Sequence, residues 1–202
     1  MKYKRPYFYL ALIFFFVSAV FPGCSSKKIN QAKLDPGKNL ANIIAVLPVD
    51  NKTKDDIAPV LLRAKIIDEL YFRGYTKLPS DFIDRRLEEL NISGKKGNIS
   101  GIEPQRVYEL VGADAVFYST LQKSDKAIGF FSAPVTVSLS CELRKGDNGE
   151  VIWRASHTAT SRSFALTRKG REMKSSKAYE KIIEEVVNKV IETIPLGPNL
   201  RS

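Results

Sequence analysis

Cysteine and histidine are almost missing from this 202-residue chain: Cys24 and Cys141 are the only thiols and His157 the only imidazole. A protein metal site needs several converging ligands, and one histidine sixteen residues from one cysteine makes no such pattern. Acidic residues are also in deficit, 22 against 32 lysines and arginines, for a formal charge of +10. The basic residues form no single stripe interleaved with aromatics, which argues against a nucleic-acid partner. No Walker loop or dinucleotide fingerprint occurs. "NISGKKGNISG", residues 91–101, has glycines and lysines but follows a polar helix end rather than a strand. His157 lies in the polar strand "RASHTATS" with no acid and nucleophile spaced around it, so it reads as a surface or pairing residue rather than a general base. Cys141 alternates with valines and leucines, as a small buried apolar side chain does. These absences point away from an enzyme, a cofactor, a metal and a small-molecule substrate.

Long apolar runs are lacking too, except at the start, MKYKRPYFYLALIFFFVSAVFPGC. Lys2, Lys4 and Arg5 precede an apolar stretch from Tyr7 to Val20, and Gly23 stands just before Cys24, the layout of an export signal. Three outcomes remain open from these residues. Cleavage before Cys24, with diacylglycerol on its sulfur and an acyl group on the freed amine, makes a lipoprotein, although Phe21 and Pro22 depart from the usual small residues. A retained anchor is the second outcome, because no charge intervenes between Arg5 and Lys27. Ordinary cleaved export is the third. In each case the rest of the chain works outside the cytoplasm. The expected division is a signal at 1–23, a polar tether at 24–40 (CSSKKINQAKLDPGKNL) and a folded domain at 41–202. Loss of the signal removes three basic residues and lowers the charge from +10 to +7.

In the folded part, Asn42–Asp50 ("NIIAVLPVD") reads as a strand buried on both faces. Asp55 or Asp56 caps the next helix, Pro59 sits in its first turn, and Gly74 stops it. Leu62, Ile66, Ile67, Leu70 and Tyr71 make its core face. "YTKLPS" is a short strand, and Ser80 caps a helix carrying Phe82, Ile83, Leu87 and Leu90. The 91–101 segment is a loop. A short helix from about Pro104 to Val111 turns Val107, Leu110 and Val111 inward, before the central strand "ADAVFYSTLQ". Val135, Val137, Leu139, Cys141 and Leu143 then alternate with polar residues, "KGDNGE" reverses the chain, and a strand from Val151, anchored by Trp153, pairs antiparallel. The last helix shows an apolar stripe from Tyr179 to Ile194 and ends at Pro195. This order predicts one α/β sandwich domain, a mixed sheet covered by helices with a long antiparallel hairpin. Two surface features stand apart. "DKAIGFFSAP" puts Ile128, Phe130 and Phe131 between two strands, as a partner contact or folded back on the core. "SRSFALTRKGREMKSSK" gathers Arg168, Lys169 and Arg171, as a contact for an anionic surface or a solvated connection.

The chain resembles a family of bacterial outer-membrane lipoproteins of uncharacterised function, whose genes often lie beside a lipoprotein related to the curli secretion channel. The resemblance rests on Cys24, "NIIAVLPVDNKT", "RGYTKLP", "YELVGADAVFYSTL", "GEVIWRASHTA" and the terminal "IPLGP". It implies a fold similar to the amino-terminal domain of the Tol-system propeller protein. It further implies attachment to the periplasmic face of the outer membrane through Cys24 and no known catalytic residues. The expected role is an anchored interaction module, an accessory of an envelope assembly or secretion complex, with an envelope protein or further copies of itself as partner. Alternatives are an activator of a cell-wall synthase and an envelope enzyme. No strand pair is long and amphipathic enough to make a pore alone.

Overall fold

In the computed structural model, which describes residues 41–89, 99–127 and 132–200, the opening apolar run breaks in two. β1 (Ile43–Val46) and β2 (Asp50–Asn51) are separated by Leu47, Pro48 and Val49. Proline lacks the N–H that a continuous ladder needs. Both pieces pair parallel with β4 (Ala115–Lys126), Ile44 opposite Ala115 and Asp50 opposite Thr120. Burial on both faces holds, since Ala45 and Val46 point to opposite sides and both are buried.

Between them run α1 (Ala58–Phe72), β3 (Thr76–Lys77), α2 (Ser80–Glu89), a 3₁₀ turn (Ile99–Gly101) and α3 (Pro104–Val111). After β4 come β5 (Ser132–Lys145), β6 (Val151–Phe164) and α4 (Arg168–Ile191). The strand order is β3-β1-β4-β5-β6, with β2 also on β4. β1 pairs parallel with β3, while β5 pairs antiparallel with both β4 and β6. The result is the expected α/β fold, a mixed six-stranded sheet with four α-helices among the described residues.

One face of this sheet is covered from end to end. Leu62, Ile66 and Leu70 of α1 and Ile182, Val186 and Val190 of α4 pack on Phe117, Val137, Leu139, Cys141 and Leu143. Each such side chain, fully buried, is worth roughly 1.5–3 kcal/mol. Trp153 seals one end, its ring centroid 5.8 Å from that of Phe117 and its indole N–H donating to Thr193 Oγ1 at 3.1 Å. The other face is only half covered: Ile83, Leu87, Ile99, Ile102 and Val107 lie over Ala45, Leu47, Val116 and Tyr118. Among the described residues nothing covers that face over β5 and β6, where Thr136 and Thr160 hydroxyls lie 3.0 Å apart and those of Ser138 and Thr158 2.7 Å apart.

Three expectations change. Tyr71 is not core: it is 58% exposed, because it lies a quarter turn beyond the buried Leu70. The 91–101 segment ends in a helical turn with Ile99 buried; its residues 91–98, and Leu90, lie outside the described residues. The basic stretch around Arg168 is not a loose connection, since β6 continues to Phe164 and α4 starts at Arg168. Thr167 caps that helix, its hydroxyl accepting from Gly170 N at 3.1 Å.

The long strands give the domain two ends. At one, the Asp114 carboxylate accepts from the backbone N–H groups of Asn42 and Ile43 at 2.8 and 2.9 Å. Gly146 N donates to Asp114 O at 2.8 Å. Residue 41 therefore enters beside the β5–β6 turn. At the other end lie the finish of β4, the start of β5, the finish of β6 and the start of α4, about 36 Å away along the twelve residues of β4.

Candidate contact surfaces

The densest polar cluster surrounds Asp55. A register shift between Leu121 and Lys123 inserts one extra residue into β4 and turns Ser124 and Lys126 toward the helices. Asp55 Oδ1 accepts from the N–H groups of Ile57 and Ala58 at 3.0 and 3.1 Å, so it caps α1 as expected. Its Oδ2 accepts from Ser124 Oγ at 2.7 Å and from the Tyr179 hydroxyl, with Lys126 Nζ 3.4 Å away. Burial alone would raise the Asp55 pKa. Hydrogen bonds from Tyr179, Ser124, Ala58 and Ile57 outweigh it and hold the carboxyl well below the usual range. The Tyr179 phenol moves the other way, pushed up by burial and by its bond to Asp55. A carboxylate whose lone pairs are all engaged is no base, and a phenol that holds its proton is no nucleophile. The cluster is a joint between the loop before α1, the far part of β4, and α4.

The other sequence candidates for chemistry fall apart spatially. His157 sits opposite Leu139 on the helix-covered side of β6, half-buried, while Ser156 and Thr158 point to the open face. The strand's alternation puts it on the side of Ala155 and Ala159. Cys141 is buried in the main core, where burial pushes its thiol well above the ordinary range. Among the described residues no three His, Cys, Asp or Glu side chains come close enough to hold a metal ion.

Two apolar surfaces remain unpaired. The first is the outward face of α1, where Ile57, Val60, Leu61, Ala64, Tyr71 and Phe72 recur at helical spacing opposite the buried Leu62 and Ile66. Val60 is 68% and Phe72 69% exposed, and the Tyr71 and Phe72 rings meet edge to face at 6.0 Å. Asp68 is the one charge on the stripe. An amphipathic surface helix shows one apolar face, but α1 shows two. The sequence carries the same signal, since "IAPVLLRAKIIDELYF" has apolar residues at helical spacing on both faces.

The second surface is the end of the domain far from residue 41. Phe164 is 64% exposed on the open face, paired with Ser132, and Leu166 is 88% exposed in the turn to α4. Met173 is exposed on the second turn of that helix. Of the sequence candidates, Arg168 and Lys169 are exposed on the first turn of α4, Arg168 donating to Glu172 Oε1 at 3.0 Å. Arg171 is half-buried and donates to the carbonyls of Ala165 and Leu166 at 3.0 and 3.2 Å, so it shapes the turn rather than standing free. Lys174 donates to Phe164 O at 2.7 Å. No acidic residue lies in the first turn of α4 to offset its N-terminal dipole. Ile128, Phe130 and Phe131, the remaining sequence candidates, lie outside the described residues.

Comparison with known proteins adds a family. The model of the family described as "Putative lipoprotein GNA1162-like" matches residues 38–195. A lipoprotein of Neisseria meningitidis serogroup B is 22% identical over 151 residues, 75% of this chain and 66% of its own length. The chain thus spans just under two thirds of the curated relative that it matches. The crystal structure of lipoprotein GNA1162 from Neisseria meningitidis superposes with a TM-score of 0.55 at 21% identity, covering 69% of this chain and 96% of that one. A PelC dodecamer from Paraburkholderia phytofirmans gives 0.54 at 15% identity, covering 84% and 99%. At these identities the likeness concerns the fold.

Proposed function

The chain belongs to the GNA1162-like lipoprotein family, and from that premise we propose that it is a lipid-anchored interaction module of the bacterial envelope, not an enzyme. In this reading residues 1–23 are removed, Cys24 carries the lipid, residues 24–40 form the tether and the domain from 41 faces the periplasm from the outer membrane. A role as accessory to an assembly or secretion complex, the gene context beside a curli-channel relative and the likeness to the Tol-system domain belong to the same proposal.

The observation that carries it is the outward apolar face of α1. A helix that buries one stripe and leaves Val60, Leu61, Tyr71 and Phe72 in water exposes aromatic and aliphatic area of the kind that protein interface cores use. Its occupant is an envelope protein. A second copy of the chain is the other reading: PelC, of the same fold, is a dodecamer, and Ile57 and Tyr71 lie at equal spacing on either side of the small Ala64.

A photo-crosslinking residue at Val60 or Phe72 in cells making the lipidated chain should join it to one defined envelope protein, while the same residue at Arg85 should not. Adducts only between copies would replace the first reading with the second, and a cell-wall synthase as partner would select the activator. Absence of any adduct would remove the α1 surface from consideration. Intact mass of the membrane-extracted chain against Cys24→Ser checks the anchor. A mass starting at Cys24 plus diacylglycerol and acyl groups, lost in the variant, is expected, and a full-length mass would mean a retained helix.

A further inference from the structure

The end of the domain farthest from residue 41 is built unlike the α1 face. Its exposed apolar side chains, Phe164, Leu166 and Met173, stand singly rather than as a stripe; Lys174 bonds to the carbonyl of Phe164, Arg171 to that of Leu166, and Met173 precedes Lys174. From Arg162 to Lys177 the chain carries six basic residues (Arg162, Arg168, Lys169, Arg171, Lys174, Lys177) and one acidic residue, Glu172, a net +5. Lysine is depleted in the cores of protein interfaces. Separated apolar side chains among lysines and arginines, displayed at a helix start and an adjoining turn, are the makeup of a segment that rests in a lipid interface. The ammonium groups meet anionic head groups while the apolar tips reach the acyl boundary.

We propose that this end, centred on Leu166 with Phe164, Arg168, Lys169 and Met173, is a second bilayer contact that docks on a membrane surface bearing anionic head groups. It rests on the reading that the chain works beside a bilayer and needs no protein on α1. The geometry allows it. A seventeen-residue tether at 24–40 has a root-mean-square span of about 23 Å, less than the length of β4. A domain standing upright on its anchor would hold this end away from the lipid; docking lays it on its side, with α1 and the open polar sheet face left to other contacts. Lipid on Cys24 fixes where the domain is, and this contact fixes how it is turned.

The test uses the chain from residue 24 with Cys24→Ser, which removes the anchor. Cys141 is buried and thiol-inert, so Leu166→Cys or Val60→Cys accepts a single environment-sensitive fluorophore. With vesicles of phosphatidylethanolamine and phosphatidylglycerol the label at Leu166 should shift to the blue and that at Val60 should not. Phosphatidylcholine vesicles should shift neither, and raised salt should reverse the effect. In flotation, Lys169→Glu and Leu166→Glu should each lower the bound fraction roughly ten-fold. The tether also has Lys27, Lys28, Lys33 and Lys38. Binding that both variants leave unchanged would assign it to the tether and overturn the proposal, as would an unshifted Leu166 label. A blue shift at Val60 alone would overturn it too, by making α1 the lipid face, and would also remove the protein-docking reading.

Discussion

Asp55 and Gly197 show how much one residue position carries here. Asp55 is ionised in both states near neutrality, and its folded pKa is depressed from the ordinary 3.8. A depressed carboxyl contributes stability that is present above the unfolded pKa and is lost as pH falls below it toward the folded value. The urea midpoint should therefore drop more steeply below about pH 4 in the parent than in Asp55→Asn. Glu142, held down by Arg144 and Arg154 against its burial, leaves a common background slope in both. Equal slopes would show that the cluster adds nothing. The capping role of Asp55 could be read from its place before an apolar helix; the partners Ser124 and Tyr179, 69 and 124 residues away, could not. Gly197 is plain in "IPLGP" but its reason is tertiary. A Cβ there would come within 2.5 Å of the Gly74 carbonyl, backbone that has no rotamer to yield. Gly197→Ala should cost about 1–3 kcal/mol by urea titration. Gly112→Ala, where φ is +66° and the Cβ would meet open space, should cost only the backbone strain, roughly 1 kcal/mol.

Among the elements, α4 is the one whose two halves serve different ends. From Ser175 onward its stripe is buried on β5 and β6; the preceding turns are held by the Thr167 cap and by Arg171 and Lys174 on the carbonyls of residues 164–166. Thr167→Ala should lower stability by about 1 kcal/mol and speed amide exchange at residues 168–173 alone, leaving protection beyond Tyr179 intact. Uniform loss along the helix would contradict that division. The buried half was legible as a 3.6-residue period. The first half has no apolar period; the Thr167 cap and the bonds of Arg171 and Lys174 to the carbonyls of residues 164–166 hold it instead. In α1 the difficulty was opposite: apolar residues on both faces satisfy the core pattern twice, and the sheet decides which set is covered.

For the molecule as a whole, the main core is one cluster that runs from α1 through β4 and β5 to α4, with Cys141 inside it. Its thiol should react with a soluble disulfide reagent only as fast as the domain opens, a rate that urea raises in step with unfolding. Fast labelling in water would mean that the sheet and α4 separate locally. The two proposed contacts sit outside this core, on α1 and at the far end of the hairpin, so Val60→Asp and Lys169→Glu should each stay within about 0.5 kcal/mol of the parent.

The sequence alone determined the α/β order and the hairpin with its alternating faces. Each of these is written in local periodicity and composition, which need no partner from afar. Only the tertiary structure decided that β1 and β2 share β4, that His157 turns inward, that Tyr71 turns outward and that basic and apolar side chains meet at one end of the sheet. Those outcomes depend on register and on which face a distant element covers, and a shift of one residue in a strand reverses them.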